Sequence, residues 1–281
     1  MTFSSIVTRF APSPTGYLHL GHAYSALFAE AATGKAGGRF LLRIEDIDPV
    51  RCRPEFEAAI LDDLAWLGLN WEGPVRRQSE HLADYRQALD RLQGMGLLYP
   101  CFCSRKDIAG SGQAPHGPDG PLYPSTCRGL GAGERADRIG SGQPFALRLD
   151  MAAAVRLAGP LAWRDAEAGE QTARPEIFGD VVLARKDVPT SYHLAVTVDD
   201  HLQGVTLVTR GRDLFEATHV HRLLQALLGL DVPQWQHHPL LMGPSGQRLA
   251  KRDRAESLRA LRGRGLGLEE VRSLALSQPG G

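Results

Sequence analysis

No apolar run in the chain approaches the roughly 18 residues that a membrane helix needs, and no basic stretch followed by an apolar core opens it. A membrane-spanning or secreted protein is therefore not expected, and the expected location is cytoplasmic. Formal net charge is zero, which argues against a protein that coats nucleic acid indiscriminately and leaves only local patches for that purpose. Cysteine is scarce, with four residues in 281, and disulfides are not expected in a cytoplasmic chain. Internal repeats are absent. What remains is typical of a soluble globular protein: 43% hydrophobic and 23% charged residues, with enough length for a sizeable core and one or two domains.

The most informative segment is 9–22, Arg-Phe-Ala-Pro-Ser-Pro-Thr-Gly-Tyr-Leu-His-Leu-Gly-His. A strand-like run (Ile6 to Phe10), a Pro/Gly turn (Pro12 to Gly16) and an Ala-rich helical run (Ala23 to Ala32) read as strand, phosphate-facing turn and helix. His19 and His22 lie one turn apart at the helix start. There they can face an anion that the backbone N–H groups and the helix dipole already favour. Nucleotide chemistry is the first expectation. The stretch from Pro12 to Ala23 also closely resembles the signature of class I aminoacyl-tRNA synthetases, and within them the glutamyl/glutaminyl branch.

Strand and helix signals follow in βαβα order: Arg39 to Ile44, a helix from Pro54 to about Leu67, and another from His81 to Met95. Residues Tyr99 to about Gly142 then turn rich in Gly, Pro and Ser and hold three of the four cysteines, which suggests an insertion. Strands are expected at Phe145 to Leu149, Asp180 to Arg185, Tyr192 to Val198 and Gly204 to Thr209. A helix is expected from Leu214 to Leu228 with Asp213 as its cap, then a loop through His237 and His238, and short tail helices at Ala255 to Leu261 and Leu268 to Leu276. The fold class is α/β: a doubly wound, Rossmann-type parallel sheet split by a zinc-bearing insertion, with a short helical tail. The expected units are 1–98 and 191–245 (the two halves of the catalytic domain), 99–190 (the insertion) and 246–281 (a signature loop and tail).

A Gly-Pro-Ser-Gly turn precedes Arg248-Leu249-Ala250-Lys251-Arg252. A mobile cationic loop of this kind can engage departing pyrophosphate most strongly in the transition state. It resembles the second class I signature, Lys-Met-Ser-Lys-Ser, with Arg248 in place of the first lysine and Ala250 in place of the serine. The resemblance makes His19, His22 and Lys251 catalytic, and gives ATP the set His19, Gly21, His22, Arg248 and Lys251, with Mg²⁺. Seven basic residues between Gly246 and Arg264 make the one pronounced basic patch.

Arg9 and Glu45 end the first two strands, and Tyr192 and Arg210 lie at or near later ones. Guanidinium suits a side-chain carboxylate, and Glu45 could accept from an ammonium, so the set suits an acidic amino acid. The segments 9–13, 43–46, 192–200 and 210–213 are similar to glutamate-binding segments of glutamyl-tRNA synthetases. By that resemblance Arg9, Tyr192 and Arg210 hold the side-chain carboxylate, Glu45 the amino group, and Ala11 and Ser13 complete the L-glutamate site.

Cys101, Cys103 and Cys127 fall in a segment too poor in apolar residues to hold itself together, which suggests structural Zn²⁺. His116, Asp119, Tyr123 or water could complete the site. A Cys-x-Cys followed about twenty residues later by Tyr-x-x-x-Cys resembles the truncated glutamyl-queuosine branch of the synthetases, which implies Tyr123 as the fourth ligand. Fewer than thirty residues follow Arg252, where full-length glutamyl-tRNA synthetases continue into an anticodon-binding domain, so that domain is not expected. The implied acceptor is queuosine-containing tRNA(Asp), and the expected state is a monomer. A shortened synthetase that charges a tRNA 3′ end or another carrier, and a non-catalytic zinc-bearing relic, are the competing readings.

Overall fold

The structure is a computed structural model that describes residues 5–34, 37–109, 116–118, 120–185, 187–241 and 256–277. Strand β1 (Val7–Phe10), buried along its whole length, leads through the Pro/Gly turn into helix α1 (Leu20–Gly34). Strand β2 (Arg39–Ile44) returns parallel to β1, with Val7 opposite Arg39 and Phe10 opposite Leu42. Helix α2 (Pro54–Trp66) starts on a proline whose missing N–H costs nothing at that position, and the short strand β3 (Arg76–Arg77) precedes helix α3 (Leu82–Gly94). This is the expected first βαβα half.

The chain then leaves that sheet through β4 (Leu98–Cys101), α4 (Arg105–Ala109), the paired strands β5 (His116–Gly117) and β6 (Gly120–Pro121), α5 (Ala132–Gly140) and β7 (Ala146–Leu149). Helix α6 (Met151–Ala158), the hairpin β8 (Ala162–Asp165) and β9 (Gly169–Thr172), and β10 (Val182–Arg185) follow. Strands β4, β7 and β10 form a separate antiparallel sheet with β7 at its centre. Helix α7 (Tyr192–Leu202), β11 (Leu207–Gly211), α8 (Ala217–Leu228) and β12 (Gln234–His238) rebuild the parallel layer, and α9 (Leu258–Gly263) and α10 (Leu268–Leu276) close the described chain. Strand β12 lies parallel to β11 on one side and to β8 on the other, while β11 lies beside β1, joined by Thr206 N–H to Val7 O at 2.9 Å. The parallel order is thus β3, β2, β1, β11, β12, β8. Its switch point falls between β1 and β11, where an open α/β sheet leaves a crevice at the carboxyl ends of its strands.

Several expectations need correction. Tyr192 to Val198 is helix, not strand. Its β-branched alternation imitates a strand, but Ser191 caps it by accepting from Leu194 N–H (3.4 Å), and every residue from Leu194 to Asp200 is buried, so no polar face betrays the helical period. His237 and His238 belong to β12 and not to a loop, because this strand is polar in sequence and buried by its neighbours. The strand expected from Gly204 begins at Leu207, after a turn with Gly204 at φ 65°. Asp213 sits in a 3₁₀ turn (Arg212–Leu214) and does not cap α8, which starts at Ala217. The first tail helix starts at Leu258, where Ser257 Oγ accepts from Ala260 N–H. Strand β8, within segment 99–190, extends the main sheet instead of the insertion.

The tail is part of the core. Leu258, Leu261 and Val271 pack with Leu18, Leu27, Leu42, Ile60 and Leu64, and Leu258 N–H donates to Leu18 O at 2.8 Å, next to His19. Arg262 pairs with Asp62 (2.6 Å) and Asp63 (3.2 Å) on α2. On the other side of the sheet the carboxylate of Asp199 is fully buried and accepts from Arg76 Nε (2.7 Å), Gln78 Nε2 (2.8 Å) and Tyr85 Oη (2.9 Å). These bonds fix α7 against β3 and α3, and they position the adjacent Asp200 at the crevice.

Candidate active site

A cleft of about 410 Å³ opens at the switch point. Its wall contains Arg9, Ala11, Ser13, His19, Gly21, His22, Glu45, Tyr192 and Arg210. The structure therefore brings together every described site residue expected for amino acid and nucleotide. Arg248, Ala250 and Lys251 lie outside the described residues, but Leu241 lines the cleft and Ser257 pairs with His19, so both described flanks of that loop stand at the site.

At one end of the cleft His19 immediately precedes α1 and His22 lies in its first turn, with ring centroids 3.8 Å apart. Gly21 N–H donates to His19 Nδ1 (3.1 Å) and His19 N–H to His22 Nδ1 (3.2 Å), so both imidazoles are folded over the helix N-terminus. A Cβ at position 21 would lie 3.0 Å from His19 Cε1 and would press on that ring. The N–H groups of Gly21, His22 and Ala23 are taken up by His19, so the positive helix dipole and the two imidazoles are what suit this end of the cleft to an anion such as phosphate.

At the other end the charges are buried and mostly paired. Arg9 Nε donates to Asp200 Oδ1 (2.9 Å) and its Nη1 to Thr209 O (3.0 Å). Arg43, fully buried, gives Nη1 to the same Asp200 oxygen (2.9 Å) and to Gln203 (2.9 Å), and reaches Glu45 Oε1 at 3.4 Å. Burial alone would raise Asp200, but Arg9 and Arg43 outweigh it and hold the carboxyl below its ordinary range. Glu45 is different. Burial pushes it up to about 6, only partly offset by Arg43 and Arg9. Thr209 Oγ1 is buried at the cleft wall with no hydrogen-bond partner among the described residues.

Arg210 is 6% exposed. Its Nε donates to His237 Nε2 (3.1 Å), Nη1 to Tyr192 Oη (3.3 Å) and faces His221 Nδ1 (3.2 Å), and Nη2 donates to Thr218 Oγ1 (2.5 Å). All four partners are neutral, because burial and the nearby guanidinium push His237 down to about 4 and His221 well below its ordinary value. No carboxylate pairs with Arg210 among the described residues. The sequence places Arg43 and Asp200 in segments similar to glutamate-binding ones but marks no role for them, and it marks none for Thr218, His221 and His237. Their signal is purely spatial.

The three thiols of Cys101, Cys103 and Cys127 lie within 4.8 Å of one another and could hold a metal ion. Cys103 and Cys127 Sγ are 3.6 Å apart, and Tyr123 Oη lies 3.8 Å from Cys103 Sγ while accepting from Cys127 N–H at 2.7 Å. Burial works to raise both thiols; it prevails at Cys103, whereas bonds from Tyr123 and from Phe102 N–H hold Cys127 below its ordinary value. No histidine among the described residues joins this group.

The family described as tRNA synthetases class I (E and Q), catalytic domain, matches residues 5–271. The chain belongs to it. Among curated proteins it is 52% identical to a glutamyl-Q tRNA(Asp) synthetase of Rhodobacter capsulatus, over 96% of this chain and 99% of that one. It is 46% identical to the protein of the same name in Symbiobacterium thermophilum, over 94% and 83%. A crystal structure of a glutamate tRNA ligase from Elizabethkingia meningosepticum, in complex with its amino acid, superposes with a TM-score of 0.75 at 29% identity; the match covers 89% of this chain and 52% of that one.

Glu45 links stability to pH. Between its ordinary value of 4.5 and about 6 the folded protein binds the extra proton, so ionisation costs stability as pH rises through this window. Glu45→Gln is expected to stabilise the protein near neutral pH by up to about 2 kcal/mol. That gain should vanish below pH ~4.5 in urea titrations at several pH values.

Proposed function

We propose that the cleft activates L-glutamate with ATP without requiring tRNA, and that the enzyme then transfers the glutamyl group to queuosine at the wobble position of tRNA(Asp). The observation that carries the amino-acid reading is Arg210, a buried guanidinium among neutral partners. An arginine cannot shed its proton, so a site built in this way is completed by an anion. Tyr192 accepts from Arg210 and can turn its own O–H toward the same ligand oxygen, and Arg9 keeps Nη2 available beside them. A glutamate side-chain carboxylate fits this triangle. A glutamine amide would leave the guanidinium poorly paired, which supports discrimination of roughly 10³ or more.

Glu45, ionised near neutral pH, would take the substrate ammonium. This orientation directs the α-carboxylate toward the helix end. One of its oxygens attacks the α-phosphorus of ATP, and the bond to the bridging oxygen breaks, giving glutamyl-adenylate and pyrophosphate. His19 and His22, at the N-terminus of α1, stabilise the phosphate charge that grows in this step. Lys251 and Arg248 are assigned to the departing pyrophosphate by their motif and by the placement of the loop's flanks. Mg²⁺ bound with ATP would supply further charge neutralisation.

The thiol cluster fits Zn²⁺. Tetrahedral zinc with bonds of about 2.3 Å to sulfur sets its ligands roughly 3.8 Å apart, close to the 3.6 Å between Cys103 and Cys127. Cys101, Cys103, Cys127 and Tyr123 would be the ligands, and the metal would brace a segment with little core of its own. Identity at full length with proteins named for queuosine-bearing tRNA(Asp) favours that acceptor over a tRNA 3′ end.

The reading is tested by glutamate-dependent ATP–pyrophosphate exchange without tRNA, then by transfer of labelled glutamate to tRNA(Asp) with and without queuosine. Exchange, and transfer only to the queuosine-bearing RNA, are expected; transfer only to tRNA(Glu) would sink the acceptor assignment. For the metal, the purified protein should carry one zinc per chain, and Cys127→Ser should lose it.

A further inference from the structure

Arg210 Nε is a donor only, so the nitrogen it meets in His237 must accept. That nitrogen is Nε2 at 3.1 Å, which leaves the imidazole proton on Nδ1. Nδ1 faces Asp165 Oδ2 at 2.8 Å. Asp165 comes from β8, 72 residues away in sequence, and is itself immobilised: Oδ1 accepts the backbone N–H groups of Glu167 (3.0 Å) and Ala168 (2.9 Å), and Oδ2 also accepts that of His237 (3.2 Å). Both partners are about 2% exposed or less. The opposite edge of Arg210 also meets an imidazole, backed by a second histidine instead of a carboxylate. His221 turns Nδ1 to the guanidinium and its other nitrogen to His193 Nδ1 at 3.2 Å.

We propose that Asp165 and His237 form a tautomer lock behind Arg210 and are positioning residues that set the cleft's preference for an acidic over an amide amino acid. The inference rests on the glutamate reading of the cleft. The imidazole acts as a spacer. It satisfies the hydrogen-bond demand of Arg210 Nε while keeping the Asp165 carboxylate one ring away, so the guanidinium is oriented without being neutralised. A carboxylate in direct contact would fix Arg210 equally well, but it would cancel the charge that distinguishes glutamate from glutamine. With the tautomer reversed, an N–H would point at an N–H and Arg210 would turn out of line.

In Asp165→Asn the amide oxygen can keep the Glu167 and Ala168 N–H bonds, while its NH₂ makes His237 Nδ1 an acceptor and moves the proton to Nε2; it also takes the acceptor from the His237 backbone N–H, a loss common to every Asp165→Asn background that the comparison of D165N/H237Q with H237Q measures by itself. His237→Gln places an amide oxygen at the Nε2 position and has no tautomer to set. In ATP–pyrophosphate exchange, D165N should raise the glutamate KM about tenfold and narrow the margin over glutamine, with kcat and the ATP KM changed less than about twofold. The double variant D165N/H237Q should return the KM to that of H237Q, and His237→Leu should resemble D165N. Should D165N fail to fold, the H237L and H237Q pair carries the comparison alone. An equal rise in KM in both backgrounds, a parallel loss of kcat and ATP affinity, or H237L matching H237Q would overturn the lock. Absence of glutamate-dependent exchange in the unaltered protein would instead strike the underlying reading, and the inference with it.

Discussion

A guanidinium held inside a protein without a counter-ion is costly, and the cost is not relieved by losing a proton. Arg210 is such a group. Its neighbours Arg9 and Arg43 are paired with Asp200, and Arg43 also with Glu45 and Asp199, whereas Arg210 meets only a phenol, a hydroxyl and two neutral imidazoles. This asymmetry defines the amino-acid end of the cleft. The scaffold leaves one cation without a carboxylate partner while it pairs the others, and the geometry around the switch point serves that division.

The parallel sheet makes this possible by delivering unrelated stretches of sequence to one edge. Strand β1 brings Arg9, β2 leads to Glu45, β11 carries Arg210 and β12 carries His237. Helix α7 adds Tyr192 and Asp200, and it is fixed from behind by Asp199 and its donors from β3 and α3. The tail helices close the other side. Leu258 bonds to Leu18 directly before His19, so the phosphate end of the cleft is supported by residues more than two hundred positions away. At the opposite end burial raises the Glu45 carboxyl, which in the proposed function accepts from the substrate ammonium.

Much of the site was legible in sequence because its key residues sit in short local motifs. The stretch around His19 and His22, the segments bearing Arg9, Glu45 and Arg210, and the cysteine spacing are of this kind. The first βαβα half was equally readable, since its helices and strands have clear boundaries. Two physical effects hid the rest. Helix α7 is buried on nearly every side, so its hydrophobic period is lost and its β-branched residues dominate the pattern. Strand β12 is built from Gln and His, which suggest a loop until the partners Asp165, Arg210 and Ser25 are seen to satisfy them. A network that joins β8, β11, β12 and α8 has no local signature at all.

The central claim is that an uncompensated Arg210 selects a carboxylate. It is tested most directly by calorimetric titration of glutamate and of glutamine into the protein. The account predicts saturable glutamate binding, glutamine weaker by roughly 10³, and loss of that difference in Arg210→Met. Glutamine binding within about tenfold of glutamate, or a difference that survives Arg210→Met, would contradict it.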